Sequence, residues 1–593
     1  MRIKRTVALS LLLIGASACT HELIRKGLTI DASDARWVRT TLSRLTLEQK
    51  IGQMIGLRYT GRFLNRDSEA LSELREWIIE HHIGGFIQVR GGVYDAAVLT
   101  NALQQMADVP LLIAADLERG LGNQIEGATL FPPLMSIGAT GSEDLAYAMG
   151  RITALEARAV GVHMTYAPVM DVNNNPDNPI INVRSFGEDP KQVARLGAAF
   201  IRGCQENGLI ATAKHFPGHG DTDLDSHSVL PVIRGDRDRL DRVELFPFAA
   251  AVEAGVKAVM SAHLRLPALD STPGVPATLS RPILSDVLRG RLGFRGLIVT
   301  DALEMGGITS LYSSPEAAVM AVQAGVDMLL LPPETEEVIQ ALIRAVETGR
   351  IRSSRINAAV RRILEVKASL GLHRRRRVEL DHLDALIGTR SYRDLARRAV
   401  EDSLTLVKNA SQSIPLIDSD LKVAVYSLSS DPGEYFVGRP FIEEVMDRCP
   451  RVIAFYADAV TGAEHISRAV QETRDADIRI VALFSKLKAW KGHVGLSESH
   501  IQLIREFARE PAPVVVLSFN SPYFLRLFPE VDAYLCAYRH DDPIQIAAAK
   551  ALFGEIALKG RLPVSIPGMF PAGHGILLGP LGQESETPGR IVR

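Results

Sequence analysis

The chain has 593 residues, 46% of them hydrophobic, so it is long enough to bury a large core and to form two or three domains. Its 67 basic and 69 acidic side chains nearly balance, and a formal net charge of -2 provides no basic field to attract nucleic acid. The densest basic run, at 374–377, is typical of a solvated linker.

Residues 1–19 have the pattern of an export signal. Basic side chains precede an apolar stretch at 7–14, and small residues then lead to Cys19. The apolar stretch is too short to cross a bilayer. The cysteine resembles the lipidation site of bacterial lipoproteins, although Ala16 stands where that motif usually has leucine. We therefore expect an exported protein, periplasmic or at the cell surface, lipid-anchored at Cys19 or simply cleaved, with no other contact with the membrane.

Residues 30–372 alternate short apolar runs with longer helical patterns. Continuous apolar strands suit a parallel sheet that is covered on both faces. Roughly 340 residues of such βα units is the size of a (β/α)8 barrel with insertions. We therefore predict a TIM-type catalytic barrel, with strands at 84–89, 111–115, 208–213, 256–261, 296–300 and 326–331.

A second βα series follows in 393–593. Its regular apolar runs suit an open α/β/α sandwich. The basic and polar segment 373–392 is the expected linker, and a helix over 392–406 is expected to lead into the second domain. The predicted strands lie at 422–428, 451–456, 478–484, 514–519 and 533–538.

The four cysteines, Cys19, Cys204, Cys449 and Cys536, are too widely spaced for a metal site or a disulfide framework. Core packing must therefore provide the stability. Lipidation of Cys19 would leave at least one thiol free.

Reactive side chains directly follow four of the predicted barrel strands. The carboxyl ends of parallel strands share one face of a barrel, and catalysis in such barrels occurs at that face. The sequence therefore predicts an active site there. The side chains concerned are Asp116, Lys214, His215, His263 and Asp301.

Asp301 is the first candidate for chemistry. A carboxylate at the end of a fully apolar strand would be desolvated without purpose unless it served a site. The alternative is that Asp301 caps the following helix, which aspartate does well.

The segment 214–231 concentrates one lysine, three histidines and three aspartates in a loop interrupted by glycine and proline. Such a loop cannot form a regular helix or strand, so packing does not explain its titratable groups. One interpretation is a metal site, and the other is proton transfer by His227 oriented by Asp225. The metal interpretation would use His215, His219, Asp221 and His227 as ligands.

Several motifs together resemble glycoside hydrolase family 3. The D-S-H sequence at 225–227 resembles the branch of bacterial β-N-acetylglucosaminidases, and the second domain resembles the sandwich that follows the barrel in many members. The motifs are L-T-L-E-Q-K-I-G-Q-M-I-G at 45–56, F-P-P-L-M-S-I-G-A-T at 131–140, R-S-F-G-E-D-P at 184–190, K-H-F-P-G-H-G at 214–220 and G-L-I-V-T-D-A-L-E-M at 296–305.

The resemblance implies a role for each matching residue. Asp301 would be the nucleophile, and His227 paired with Asp225 the acid/base. The side chains implied to bind sugar are Asp116, Arg184, Lys214, His215, His263 and Arg151. The chain reads E-R-G at 118–120 where relatives often have E-G-G, which we expect to place an arginine at the rim of the site.

The implied activity is retaining hydrolysis of terminal β-linked N-acetylglucosamine from peptidoglycan fragments or chitooligosaccharides, with no cofactor and no metal. A histidine acid/base presents no negative charge to an incoming anion, so phosphorolysis at the same site is one alternative. Others are a metal-dependent hydrolase and a noncatalytic sugar-binding lipoprotein.

Overall fold

The computed structural model describes residues 30–418, 420–434, 436–485 and 495–581. It contains a closed barrel of eight strands followed by a separate six-stranded sheet. The predicted α/β class and the order of the two domains are thereby confirmed. The predicted signal segment and Cys19 lie outside the described residues.

The barrel strands pair in sequence order, and every pair is parallel. The last strand closes on the first, where Ile55 pairs with Leu329 and Gly56 with Leu330. The strands are β1 (Ile55–Gly61), β2 (Gly85–Gly91), β3 (Leu112–Ala115), β4 (Met164–Thr165), β5 (Ile210–Phe216), β6 (Ala258–Ser261), β7 (Leu297–Ala302) and β8 (Met328–Leu330).

Two barrel strands had no predicted counterpart. The outer half of β1 carries Arg58 and Thr60, so it lacks a continuous apolar run. Only Met164 and Thr165 pair regularly in β4, which is too short to produce a pattern. The other six strands lie at the predicted apolar runs.

Helices surround the barrel and cover the outward faces of its strands. The helix Glu143–Ala159 packs along Pro190–Gln205, and the apolar positions of both helices join one core with the strands. The helices of this part are Ala32–Arg44, Leu47–Gln53, Glu69–Ile79, Val93–Met106, Leu134–Thr140, Glu143–Ala159, Pro190–Gln205, Arg237–Arg242, Phe246–Glu253, Gly306–Thr309, Ser314–Ala324, Thr335–Glu347, Ser353–Ser369 and Leu383–Leu386, with a π-helix at Pro282–Arg291.

The second sheet has the order β11-β10-β12-β13-β14-β9. Its central strands are buried on both faces by two separate apolar clusters, as their largely apolar sequences require. The strands are β9 (Thr405–Asn409), β10 (Val423–Ser429), β11 (Val452–Ala457), β12 (Ile478–Phe484), β13 (Val514–Ser518) and β14 (Ala533–Cys536), and the helices are Arg390–Ser403, Arg439–Met446, Ala463–Glu472, Glu498–Phe507 and Asp542–Leu552.

The helix predicted over 392–406 ends earlier than expected, at Ser403. The chain then forms β9, which pairs antiparallel with β14 at the edge of the sheet. This edge pairing depends on a partner more than a hundred residues away, so the local pattern did not reveal it.

The two domains pack against each other. One apolar cluster of the second sheet includes Met135, Ala139 and Val183 from the barrel part. The backbone N–H of Glu188 donates to the carbonyl of Pro563 at 3.0 Å, and that of Arg561 donates to Ala139 at 3.0 Å. The second domain is therefore in direct contact with loops of the barrel.

The basic segment that follows the barrel lies along the barrel surface. Arg376 donates to the carbonyl of Ala107 at 2.6 Å, and the backbone N–H of Val378 donates to Asn101 at 2.8 Å. Arg375 is largely exposed and pairs with Glu379, four residues along the chain.

Among the described residues, Cys204, Cys449 and Cys536 are buried and form no disulfide bond. Within the described part of the chain, every helix is too short or too polar to span a bilayer.

Candidate active site

A cavity of about 480 Å³ opens at the carboxyl ends of the barrel strands, a size typical of small-molecule sites. Six of the residues that the sequence predicts as catalytic or sugar-binding lie in its wall. They are Asp116, Arg184, Lys214, His215, His227 and Asp301. Further lining residues include Arg58, Glu118, Tyr166, His219, Glu304 and Met305.

Asp301 lies within β7, near its end, at the cavity. Its Oδ1 accepts a hydrogen bond from the backbone N–H of Ala302 at 2.8 Å. Burial acts to raise the pKa of Asp301, but His215 and His263 outweigh it, so the pKa lies below its usual value. The carboxylate is therefore ionised at neutral pH, as a nucleophile must be. The following helix begins at Gly306 with Met305 in the N-cap position, so Asp301 does not cap it.

Asp225 and His227 form a hydrogen-bonded pair. The Nδ1 atom of His227 lies 2.8 Å from Oδ1 of Asp225, which also accepts the backbone N–H of His227 at 2.8 Å. The Asp225 side chain is 2% exposed, whereas that of His227 is 24% exposed and lines the cavity. A carboxylate on Nδ1 fixes the ring orientation and makes Nε2 the nitrogen that exchanges a proton.

Two backbone hydrogen bonds tie this pair to the segment after Asp301. Gly306 donates to the carbonyl of His227 at 2.8 Å, and Gly307 donates to Ser226 at 3.1 Å. A Cβ atom on Gly306 would lie 2.7 Å from the His227 carbonyl oxygen, so only glycine permits this approach. The loop with His227 and the strand end with Asp301 are thus held in a fixed relation.

The K-H-F-P-G-H-G motif is held in place by close backbone packing. A Cβ atom on Gly220 would lie 1.7 Å from the carbonyl oxygen of Val172. The side-chain amide of Asn178 donates to the carbonyls of His219 and Gly220, each at 2.9 Å. Residues 214–216 complete β5, contrary to the expectation that all of 214–231 is irregular. The rest of the motif folds as a loop pressed against the segment that follows β4.

Lys214 lies in a buried network of charges. Its Nζ contacts Asp116 at 2.9 Å and Glu118 at 2.8 Å. Glu118 also receives two hydrogen bonds from Arg184, at 2.6 and 3.0 Å. Burial acts to raise the pKa of Glu118, but Arg184 and Lys214 hold it well below its usual value. The network presents fixed donors and acceptors to a polar ligand such as a sugar.

Glu118 is a site residue that sequence reasoning missed. Its position two residues after Asp116, at the end of β3, was the available signal. Its partners Lys214 and Arg184 lie on β5 and in the loop after β4, and only the fold brings these segments to Glu118.

Asp171 is a second residue that sequence reasoning missed. Its Oδ2 lies 2.7 Å from Nδ1 of His215, and its Oδ1 accepts the backbone N–H groups of His215 and His219. Burial, and then the charge of His215, lowers the pKa of His219 to about 4, so this imidazole is neutral at neutral pH. Asp171 follows β4, whose brevity concealed the strand and hence the position.

Two predicted sugar-binding residues do not reach the cavity wall. Arg151 is exposed on the outer helix Glu143–Ala159, so the structure contradicts its assignment to the site. His263 is completely buried, where its ring bonds Thr278 at 2.8 Å and the carbonyl of Ala302 at 3.0 Å. His263 therefore supports the strand end from below.

Arg119 corrects a third expectation. It does not lie at the rim of the site: it is 8% exposed and directed toward the second domain, where it pairs with Asp541.

The four residues of the metal interpretation have separate partners. His215 bonds Asp171, His219 bonds Ser226, Asp221 pairs with Arg239, and His227 bonds Asp225. Among the described residues, no group of three or more histidine, cysteine or acidic side chains has the geometry to hold a metal ion.

The barrel brings a carboxylate and the histidine of an Asp-His pair to one polar cavity, the arrangement of an enzyme that uses a nucleophile and an acid/base. Residues 46–366 match the glycosyl hydrolase family 3 N terminal domain, and residues 404–574 match the family 3 C-terminal domain. The chain therefore belongs to glycoside hydrolase family 3, which confirms the resemblance of its motifs.

Similarity extends over both domains. The chain is 31% identical over 553 residues to the β-N-acetylglucosaminidase/β-glucosidase of Cellulomonas fimi, which covers 90% of this chain and 96% of that relative. A family 3 β-N-acetylglucosaminidase from Paenibacillus sp. str. FPU-7 is 34% identical, with a TM-score of 0.77 over 88% of this chain and 99% of that one. The β-glucoside phosphorylase BglX, bound to 2FGlc, is 28% identical, with a TM-score of 0.82 over 91% and 98% of the two chains.

Proposed function

We propose that the protein is a retaining β-N-acetylglucosaminidase that releases terminal β-linked N-acetylglucosamine. The observation that carries this proposal is that Asp301 and His227 line one cavity, that Asp225 is bonded to His227, and that their segments are joined by backbone hydrogen bonds. Retaining hydrolysis requires these two functions, a nucleophilic carboxylate and a proton donor that later acts as a base.

In the first step, the Asp301 carboxylate attacks the anomeric carbon while protonated His227 donates its Nε2 proton to the departing glycosidic oxygen. The products are a glycosyl ester on Asp301 and the released alcohol. In the second step, neutral His227 removes a proton from water as the water oxygen attacks the anomeric carbon and the ester bond breaks. Asp225 stabilises the imidazolium that is present before the first step and after the second.

The nonreducing sugar is held by the charge network around Lys214, which lies in the wall of the same cavity. Asp116, Lys214 and Arg184 present carboxylate, ammonium and guanidinium groups. Glu118 holds Lys214 and Arg184, and Lys214 in turn pairs with Asp116. Such preorganised groups bind sugar hydroxyls without reorganising during the reaction. The preference for N-acetylglucosamine is supported by the names of the Cellulomonas and Paenibacillus relatives.

We further propose that the substrates are peptidoglycan fragments or chitooligosaccharides that the enzyme meets outside the cytoplasm. The support is the export pattern of residues 1–19 with Cys19 as the lipid attachment site. Labelling cells with a radioactive fatty acid tests the anchor, because Cys19→Ala should lose the label whereas Cys204→Ala should keep it.

Phosphorolysis is the second candidate. It is favoured by the similarity to the β-glucoside phosphorylase over nearly the whole chain, and by an imidazole in place of a second carboxylate as acid/base. Phosphate would then attack the glycosyl ester in place of water and yield a sugar 1-phosphate.

The deciding experiment measures release of 4-nitrophenol from its β-N-acetylglucosaminide and its β-glucoside, with and without phosphate. Hydrolysis predicts that the first substrate is preferred, that N-acetylglucosamine is the product in both buffers, and that Asp301→Ala lowers kcat/KM by about 10³-fold or more. Formation of a sugar 1-phosphate would assign phosphorolysis. If neither substrate were cleaved, or if both Asp301→Ala and His227→Ala retained full activity, the proposal would be wrong.

A further inference from the structure

Arg119 lies in the loop after β3, between the sugar site and the second domain. Its neighbour Glu118 faces the cavity and holds Lys214. Arg119 faces the opposite way, where its Nε donates to the carbonyl of Phe131 at 3.1 Å and its guanidinium pairs with Asp541. Two adjacent residues of one loop thus serve the site and the domain contact.

The loop is closed on itself at the same position. The backbone N–H of Phe131 donates to the carbonyl of Arg119 at 2.8 Å, so Arg119 and Phe131 are joined by both a backbone and a side-chain hydrogen bond. Asn123 donates to the backbone carbonyl of Asp116 at 2.9 Å. A displacement of Arg119 would therefore be transmitted to the backbone that carries Asp116 and Glu118.

On the other side of the contact, Asp541 occupies the N-cap position of the helix Asp542–Leu552 but makes no side-chain capping hydrogen bond. Its carboxylate instead pairs with Arg119 and lies 3.6 Å from Nε of Arg539. Burial lowers the pKa of Arg119 to about 10, so the guanidinium is still charged at neutral pH. Asp541 thus contributes a charge to the domain contact.

We propose that the Arg119–Asp541 pair is a brace through which the second domain fixes the loop that binds the nonreducing sugar. Arg119 and Asp541 are positioning residues in this proposal, since neither touches the substrate. The brace makes sugar binding by the barrel depend on the second domain. This inference rests on the proposed function, which assigns to the sugar Asp116 and the two cations that Glu118 holds, Lys214 and Arg184.

A simpler interpretation is that the pair only holds the domains together. The chain offers a matched control, because Ser565 of the second domain donates its backbone N–H to Glu188 of the barrel at 2.7 Å and its hydroxyl bonds the same carboxylate. Ser565→Ala removes the side-chain bond at the domain contact and leaves the loop after β3 unchanged.

The test compares Arg119→Gln, Asp541→Asn, the double variant and Ser565→Ala in the full chain. Asparagine is also a good N-cap residue, so Asp541→Asn removes the ion pair and keeps a residue suited to the start of the helix. This variant still tests the brace if Arg119→Gln does not fold. We expect Arg119→Gln and Asp541→Asn, the two brace variants, each to raise KM and the inhibition constant of N-acetylglucosamine about 10-fold or more. Small misplacements of positioning groups are costly. The double variant should be no worse than the singles, and Ser565→Ala should match the wild type.

A loss of folded enzyme would lower the apparent kcat and leave KM and the inhibition constant unchanged, so these constants separate positioning from stability. Hydrogen exchange of the peptide 116–131, measured without substrate, should be faster than in the wild type in Arg119→Gln and Asp541→Asn, and unchanged in Ser565→Ala. The brace would be overturned if Arg119→Gln and Asp541→Asn had the KM, the inhibition constant and the hydrogen exchange of the wild type. It would also be overturned if Ser565→Ala raised KM and the inhibition constant as much as they do. If the wild type cleaved neither sugar, the proposed function would fail, and the exchange experiment would still decide the brace.

Discussion

Asp225→Asn is the most informative single substitution for the proposed mechanism. One oxygen of Asp225 accepts both Nδ1–H and the backbone N–H of His227, each at 2.8 Å. The amide oxygen of asparagine can accept the same two hydrogen bonds, so the ring should keep its position. The substitution therefore removes the negative charge that stabilises the imidazolium and leaves the geometry of the pair.

The size of the effect follows from the strength of this bond. A hydrogen bond to a charged group contributes about 1.5–3 kcal/mol, and each 1.36 kcal/mol of barrier is a tenfold change in rate. We expect kcat/KM for the 4-nitrophenyl substrate to fall about 10- to 150-fold. With 2,4-dinitrophenol as leaving group, kcat/KM should change little, because that oxygen departs without protonation.

The assay is initial-rate kinetics of the wild type and the variant on both substrates, with Asp221→Asn as control. Asp221 lies in the same loop but pairs with Arg239 at 2.6 Å in a partly exposed ion pair, which contributes about 0–1 kcal/mol. The control should stay within about twofold of the wild type. An equal loss on both substrates, or a loss in the control as large as in Asp225→Asn, would refute the role of the pair.

Two further predictions concern buried charges. Glu118→Gln should lower the free energy of unfolding by about 3 kcal/mol at pH 7, because it leaves Arg184 and Lys214 without their shared carboxylate. The pKa of Glu118 is depressed in the folded state, so the stabilisation from its carboxylate is present above pH 4.5 and lost as the pH falls. In urea unfolding, the difference in unfolding free energy between wild type and Glu118→Gln should therefore narrow below pH 4.5. A difference that widened would contradict the assignment. Lys367 is fully buried at the opposite end of the barrel, with Nζ 2.7 Å from Gln53, and burial lowers its pKa to about 7. The unfolded chain keeps this proton up to about pH 10.5, so the free energy of unfolding of the wild type should rise between pH 7 and 10.5. The rise should be smaller in Lys367→Met. Equal slopes of the unfolding free energy against pH in the two proteins would contradict the prediction.

The sequence predicted the parts of the fold whose signal is local. A buried parallel strand must be apolar throughout, so six of the eight barrel strands were recognisable from single runs of residues. The position of Asp301 at a strand end, and the density of titratable groups in 214–231, also required no knowledge of distant partners. These features placed the candidate site at one face of the barrel.

The directions of loop side chains were decided by the tertiary structure. Periodicity assigns a face to residues of a strand or helix, but it says nothing about a loop residue such as Arg119, whose partner Asp541 lies 422 positions away. The exposure of Arg151 and the burial of His263 likewise follow from which elements pack around them. The sequence by itself therefore determined the barrel, the sandwich and the residue types at the site, whereas the fold decided which side chains meet, because that depends on contacts between segments far apart in the chain.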